Sequence, residues 1–278
     1  PQNLVDYYTE KSGMLNIQTQ RGCAFKCCYC TYPLIEGTAF RRRGPRVVCD
    51  EIEDVIASGT RYFFIVVSVF NTSREHVTGI CEEILKRKLD IKWGCYLRPQ
   101  GITQPQMDLM ARAGLTHIEF GTDSFSDSVL DAYGKQFTVD DVIHASECAR
   151  NAKVRYAHFL IIGGPGETEE TIREGFSNAG RIKKSVFFPY VGMRLYPGTP
   201  LHEIALKEGV VTREKDLFEP CFYITPHIPK DTIARMLKEH GGEQKNWIIG
   251  EVGPELRQVM DNLRKMGVVG PLWEFLIR

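Results

Sequence analysis

The chain has 278 residues, 43% of them hydrophobic, enough to bury a core as one large domain or as one domain with a small appendage; a disordered chain is excluded. Lysine plus arginine balance aspartate plus glutamate at 35 each, so no overall basic field draws in nucleic acid, and none is expected as a partner. No apolar run approaches the ~20 residues that cross a bilayer, and Pro1-Gln2-Asn3 does not begin a signal peptide, so a soluble, cytoplasmic protein without a transmembrane segment is expected.

In chain order, apolar or alternating stretches recur, each followed by an amphipathic one, which is the pattern of β-α units building a parallel sheet. Strands are expected at 15–19, 62–67, 91–97, 117–121, 155–162 and 186–195, with helices beginning near Val47, Arg74, Gln104, Ser126, Val139 and Glu169. The third helix carries apolar residues at Met107, Leu109, Met110 and Leu115. Tyr196-Pro197-Gly198-Thr199-Pro200 must turn, a helix starts near Leu201, and 231–240 and 254–266 read as further helices. The expected fold class is therefore α/β: a partial (β/α)6 TIM-like barrel of parallel strands over 1–200 and a mostly helical C-terminal extension over 201–278. Parallel sheets of this kind place their chemistry at the carboxyl ends of the strands.

The first strand end carries the densest signal. Four of the nine cysteines lie between positions 23 and 30, and an odd, crowded count does not build a secreted disulfide framework. The other five, Cys49, Cys81, Cys95, Cys148 and Cys221, stand singly and read as small core residues. Cys23, Cys27 and Cys30 have spacings of four and three on one tight loop, as thiolates converging on an iron-sulfur cluster require. Three ligands leave one iron open to an outside group, whereas Cys28 interrupts the series and reads as a bystander. A structural zinc site wants a second ligand pair, and no later Cys-x-x-Cys or paired histidine follows; a thioredoxin-type pair gives no reason for Cys23.

Cys-x3-Cys-x-aromatic-Cys, with Tyr29 in the aromatic position, resembles the signature of radical S-adenosylmethionine (SAM) enzymes. The resemblance implies a [4Fe-4S] cluster on Cys23, Cys27 and Cys30, SAM chelating the fourth iron, and Tyr29 near the adenine. It directs attention to the later strand ends. The second runs through Val66, Val67, Ser68 and Asn71; the family has small or acidic residues meeting the SAM amino group there, so Val67 departs from the pattern and Ser68 is left to serve. At the third, Arg98 suits bidentate pairing with a carboxylate of SAM or substrate, or stands solvated at a turn. The fourth, Gly121-Thr122-Asp123-Ser124, resembles the Gly-x-Glu-Ser element of the family, although Asp123 and Ser124 equally suit capping of the next helix. The fifth, Gly163-Gly164-Pro165-Gly166-Glu167-Thr168, resembles the Gly-x-Pro-Gly-Glu-Thr segment that supports the adenine, with glycines allowing close backbone approach. Arg194 closes the set of SAM contacts on the sixth, and His158, inside the fifth strand, reads as a core residue.

Residues 15–23, 30–37, 189–194 and 270–275 together resemble the cobalamin-dependent branch of the superfamily, which includes methylases of unactivated carbons. Members usually carry an amino-terminal cobalamin-binding domain with Asp-x-His-x-x-Gly, and no such element precedes Cys23. A separate subunit or a domain outside this sequence would supply the corrinoid, or the reaction runs without it. The implied activity is reductive cleavage of SAM to a 5'-deoxyadenosyl radical that takes hydrogen from a lipid-like or other large metabolite, with flavodoxin or ferredoxin as electron donor. Two other classes stay open: an iron-sulfur protein that keeps the fold without cleaving SAM, and a zinc-stabilised binding module.

Overall fold

A computed structural model describes residues 2–242, 244–250 and 253–277; Pro1 and Arg278, which bound the two expected segments, lie outside them. The chain runs α1 (Gln2–Ser12), β1 (Leu15–Ile17), β2 (Gln20–Arg21), α2 (Tyr32–Glu36), β3 (Arg41–Arg42), α3 (Pro45–Ala57), β4 (Tyr62–Ile65), α4 (Arg74–Lys86), β5 (Lys92–Leu97) and α5 (Gln104–Arg112). It continues with β6 (Leu115–Asp123), α6 (Asp127–Ala132), α7 (Val139–Asn151), β7 (Arg155–Ile162), α8 (Glu169–Ala179), β8 (Ser185–Val191), β9 (Met193–Arg194), α9 (Pro200–Lys207), β10 (Phe222–Tyr223), α10 (Lys230–Gly241), α11 (Pro254–Lys265) and a 3-10 turn over Leu272–Leu276.

Six strands form one parallel sheet in the order β1-β4-β5-β6-β7-β8, so every unit adds its strand beside the last and all carboxyl ends share one rim. This bears out the α/β reading, with a sheet that has β1 and β8 as its edges. The helices start where local chemistry tells them to. Thr138 and Thr168 each close a reciprocal capping box on α7 and α8, Ser73 accepts from the His76 N–H at the head of α4, and proline occupies the first turn of α3, α5 and α9. Their apolar faces meet the sheet in one core holding Cys49, Cys81, Phe63, Trp93, Met107, Ile118 and Phe120.

Several boundaries differ from expectation: Leu115, expected on the third helix, begins β6, which runs to Asp123 against the expected 117–121, and three strand ends shift. The strand expected over 15–19 stops at Ile17, and the one over 62–67 stops at Ile65. The strand expected over 186–195 ends at Val191, because Gly192 at φ 84° turns the chain; Met193–Arg194 then pairs antiparallel with Phe222–Tyr223. The tail is mostly helical as expected. Its last turn packs beneath the sheet, where the Trp273 indole N–H donates to Glu119 at 3.4 Å and Arg155 pairs with Glu274.

Candidate active site at the strand ends

Backbone chemistry fixes the cysteine loop. Gly22 sits at φ 85°, and a Cβ there would lie 2.0 Å from the Ala39 carbonyl oxygen, so only glycine lets the chain close at this point. The Gly22 N–H donates to Glu36 at 2.9 Å, the Cys23 N–H to the Gly37 carbonyl at 3.0 Å, and the Ser68 hydroxyl to the Gly22 carbonyl at 3.1 Å. On the other flank the Cys28 N–H donates to the Tyr133 carbonyl and the Leu201 N–H to the Cys28 carbonyl, each at 2.9 Å. Cys23, Cys27 and Cys30 keep free thiols on this clamped loop. Cys28 packs with Val129, Tyr133 and Leu201 in a second apolar cluster, where burial pushes its thiol up to about 12.

Beside the loop stands a buried charged network. A register shift in β6 after Phe120 delivers Asp123 at φ 63°, a conformation that short polar side chains tolerate best. Its Oδ2 accepts the Tyr29 hydroxyl at 2.5 Å and lies 2.6 Å from the Lys135 Nζ, which is itself 3.2 Å from the Tyr29 oxygen. Burial works against the Lys135 charge, but Asp123 and Cys27 outweigh it and hold its pKa above the usual value. Ser124 faces the other way: its Oγ accepts the Ser126 N–H at 3.2 Å at the turn into α6. Asp123 lines the site, and Ser124 holds the backbone of Ser126, the N-cap of α6, without capping the helix itself.

Arg98 is 7% exposed, with its guanidinium carbon 4.1 Å from the centre of the Phe25 ring and 5.0 Å from that of Phe137. Asn71 pins its backbone in both directions, at 2.8 and 2.9 Å. Its Nε and Nη2 are buried without partners, burial depresses its pKa, and Cys27 and Cys23 pull the other way. A buried guanidinium with two orphaned nitrogens is a group still lacking an anion. Arg194 likewise has a buried Nε without a partner and lies over Tyr196, 5.0 Å from the ring centre. Val67, 3% exposed, lies in the core, so its apolar character answers the helix layer; Ser68 is the neighbour that meets the loop.

The fifth strand end is held from within. Glu167 accepts the N–H groups of Gly163 and Gly164, the latter at 3.1 Å, and lies 3.3 Å from the Tyr133 hydroxyl; burial raises its carboxyl to about 7. A Cβ on Gly164 would sit 2.2 Å from that hydroxyl, which explains glycine at this position. His158 is a core residue as expected, bonded to Thr122 at 2.7 Å and Ser146 at 3.2 Å and stacked on Phe120 and Phe187.

Sequence reasoning missed the segment Tyr133-Gly134-Lys135. Tyr133 serves the cysteine loop with its carbonyl and the glycine loop with its hydroxyl, while Gly134, at φ 72°, leaves 2.6 Å between a would-be Cβ and the Lys26 carbonyl oxygen. A glycine between an aromatic and a lysine just past a short helix was the only available signal.

The site therefore brings together Cys23, Cys27, Tyr29, Cys30, Arg98, Asp123 and the Gly163-Gly164 loop at one rim, with Ser68 bracing it. The family description "Radical SAM superfamily" matches residues 17–176. Among curated proteins, the chain is 30% identical to a tryptophan 2-C-methyltransferase of Streptomyces laurentii over 206 residues, 69% of this chain and 34% of that protein. It is 29% identical to an anaerobic magnesium-protoporphyrin IX monomethyl ester cyclase of Rubrivivax gelatinosus over 219 residues, 77% of this chain and 38% of that one. The chain thus spans about a third of the length of these relatives. The same fold occurs in a radical SAM methyltransferase from Kitasatospora setae solved with cobalamin and a [4Fe-4S] cluster, with TM-score 0.86 and 23% identity over 98% of this chain and 60% of that one. With a family match covering more than half its residues, the chain belongs to the radical SAM superfamily.

Proposed function

We propose that this chain is the catalytic core of a cobalamin-dependent radical SAM enzyme, with Cys23, Cys27 and Cys30 holding a [4Fe-4S] cluster. The observation that carries it is a clamped loop of three free thiols facing two buried cations, Lys135 and Arg98, one of them with orphaned nitrogens. The donor set fits the group: thiolates are the ligands of iron-sulfur clusters, and buried cations favour anionic sulfur. When bound, the cluster supplies one electron for reductive cleavage of SAM to methionine and a 5'-deoxyadenosyl radical.

The protein's own residues bind and orient. Arg98 offers its free guanidinium edge to the SAM carboxylate. Asp123, fixed by Lys135 and Tyr29, stands where a ribose or amino group needs an acceptor, and Tyr29 stays protonated because burial and Asp123 raise its pKa. Ser68 serves the SAM amino group, the Gly163-Gly164 loop supports the adenine, and Arg194 adds a third cation. Residues 1–200 form the core and 201–278 an extension docked through the Leu201 to Cys28 hydrogen bond. The expected partners are a cytoplasmic flavodoxin or ferredoxin, a corrinoid from another domain or subunit, and a large metabolite. Among the described residues no helix is long and apolar enough to cross a membrane.

Anaerobic reconstitution with iron and sulfide, followed by dithionite and SAM, tests this reading. Broad visible absorption and 5'-deoxyadenosine are expected; a reconstituted, reduced sample that forms none is not a SAM-cleaving enzyme.

A further inference from the structure

Below the rim the inner face of β6 carries His117, Glu119, Gly121 and Asp123, alternating with Ile118 and Phe120, which lie in the core. His117 is sealed among Tyr62, Phe64 and Trp273 and forms a floor. Gly121 is the opposite case. It lies in a central strand yet is exposed, and a Cβ built on it meets no atom within 4 Å. Gly121 falls in the register break of β6, past Phe120, the last residue paired with β5, and before pairing with β7 resumes at Asp123, and the space beside its Cα is open. Four residues separate Glu119, near the floor, from Asp123 at the rim, with the register break after Phe120 between them.

The walls of this space are rings. Tyr96 is 39% exposed and edge-on to Phe64 at 4.9 Å; Tyr190 is 55% exposed and lies parallel to Phe159, which stacks on Phe188 at 4.9 Å. Burial, and after it Glu119, raises the hydroxyl pKa of both Tyr96 and Tyr190, and Tyr96 is the direct cross-strand partner of Glu119. Glu119 accepts the Trp273 indole N–H, and a carboxylate with one such donor retains acceptor capacity. It is the one acidic group on the inner face of β6 below the rim, in surroundings that strengthen any hydrogen bond it accepts.

We propose that Glu119 determines substrate specificity, accepting a hydrogen bond from an N–H or ammonium donor on a flat, ring-bearing substrate for which Gly121 leaves the room. This deepens the functional reading above and rests on it only for the chemistry at the rim. Stacked rings recognise flat molecules of many kinds; a single buried acceptor rejects those that lack the matching donor.

Indole and benzothiophene share an outline and differ in the N–H donor. Each is titrated by ligand-observed NMR into the reconstituted full chain, into Glu119→Leu, which removes the acceptor, and into Glu119→Gln, which keeps an oxygen for the Trp273 bond. The expected result is tighter binding of indole than of benzothiophene by about tenfold, loss of that preference in Glu119→Leu, partial retention in Glu119→Gln, and loss of both ligands in Gly121→Ile. Equal binding of the two probes by the wild-type chain overturns the proposal, as does a preference that survives Glu119→Leu or binding that survives Gly121→Ile. SAM cleavage by the wild-type chain is read separately. Its failure removes the functional reading and leaves the probe ratio standing, whereas a flat ratio with intact cleavage removes only this inference.

Discussion

The chain uses cysteine in two ways, and the surroundings, not the residue, make the difference. Cys49, Cys81 and Cys95 are buried among the helices and the outer face of the sheet, where burial pushes Cys49 up to about 11 and Cys81 up to about 12. Cys27 is desolvated too, but Lys135 and Arg98 oppose that penalty, and its loop is held by backbone bonds that leave the side chain free. The first group fills space. The second is kept available, and the cost of that availability is a pair of buried cations that themselves need anions.

The largest test of this contrast is to remove one cysteine of each kind. Cys30→Ala is expected to abolish the visible cluster absorption and 5'-deoxyadenosine formation after reconstitution, and Cys81→Ala to keep both. Next comes the cation. Lys135→Met leaves the Asp123 carboxylate buried with only the Tyr29 hydroxyl, which costs about 3 kcal/mol in urea unfolding; adding Asp123→Asn should recover part of it, and no loss at all would mean the network is held by packing.

A smaller effect separates the Glu167 loop from the core. Its folded-state pKa of about 7 lies above the ordinary 4.5, so the folded state binds the proton more tightly. Stability from this group is full below about 4.5 and is lost as pH rises to about 7, with a slope no steeper than about 1.4 kcal/mol per pH unit. Glu167→Gln should flatten that slope in thermal unfolding between those values; an unchanged slope would assign it elsewhere. Smallest is Cys81→Ala itself, expected to cost about 1 kcal/mol as a small core cavity, measured by the same unfolding.

Much of the fold was legible because its signals are local. Val186 begins an apolar strand, Thr138 and Thr168 announce helices, and the spacing of Cys23, Cys27 and Cys30 is written in eight residues. The end of β8 was missed because apolar residues resume after Gly192 at Met193 and Leu195, and it is the backbone angle at Gly192 that ends the strand. The site was half visible. Tyr29 and Asp123 were each singled out, but their bond spans 94 positions, and Lys135 lies 106 from Tyr29. Periodicity reports on neighbours along the chain and is silent about such pairs. Val67, past the end of β4, lies in the core, which leaves Ser68 as the neighbour that meets the cysteine loop.

Tyr133 has a mechanical consequence. One residue ties the cysteine loop through its carbonyl and the glycine loop through its phenol, so the two share this anchor beside those each has of its own. A displacement at the end of α6 is therefore expected to reach both loops at once.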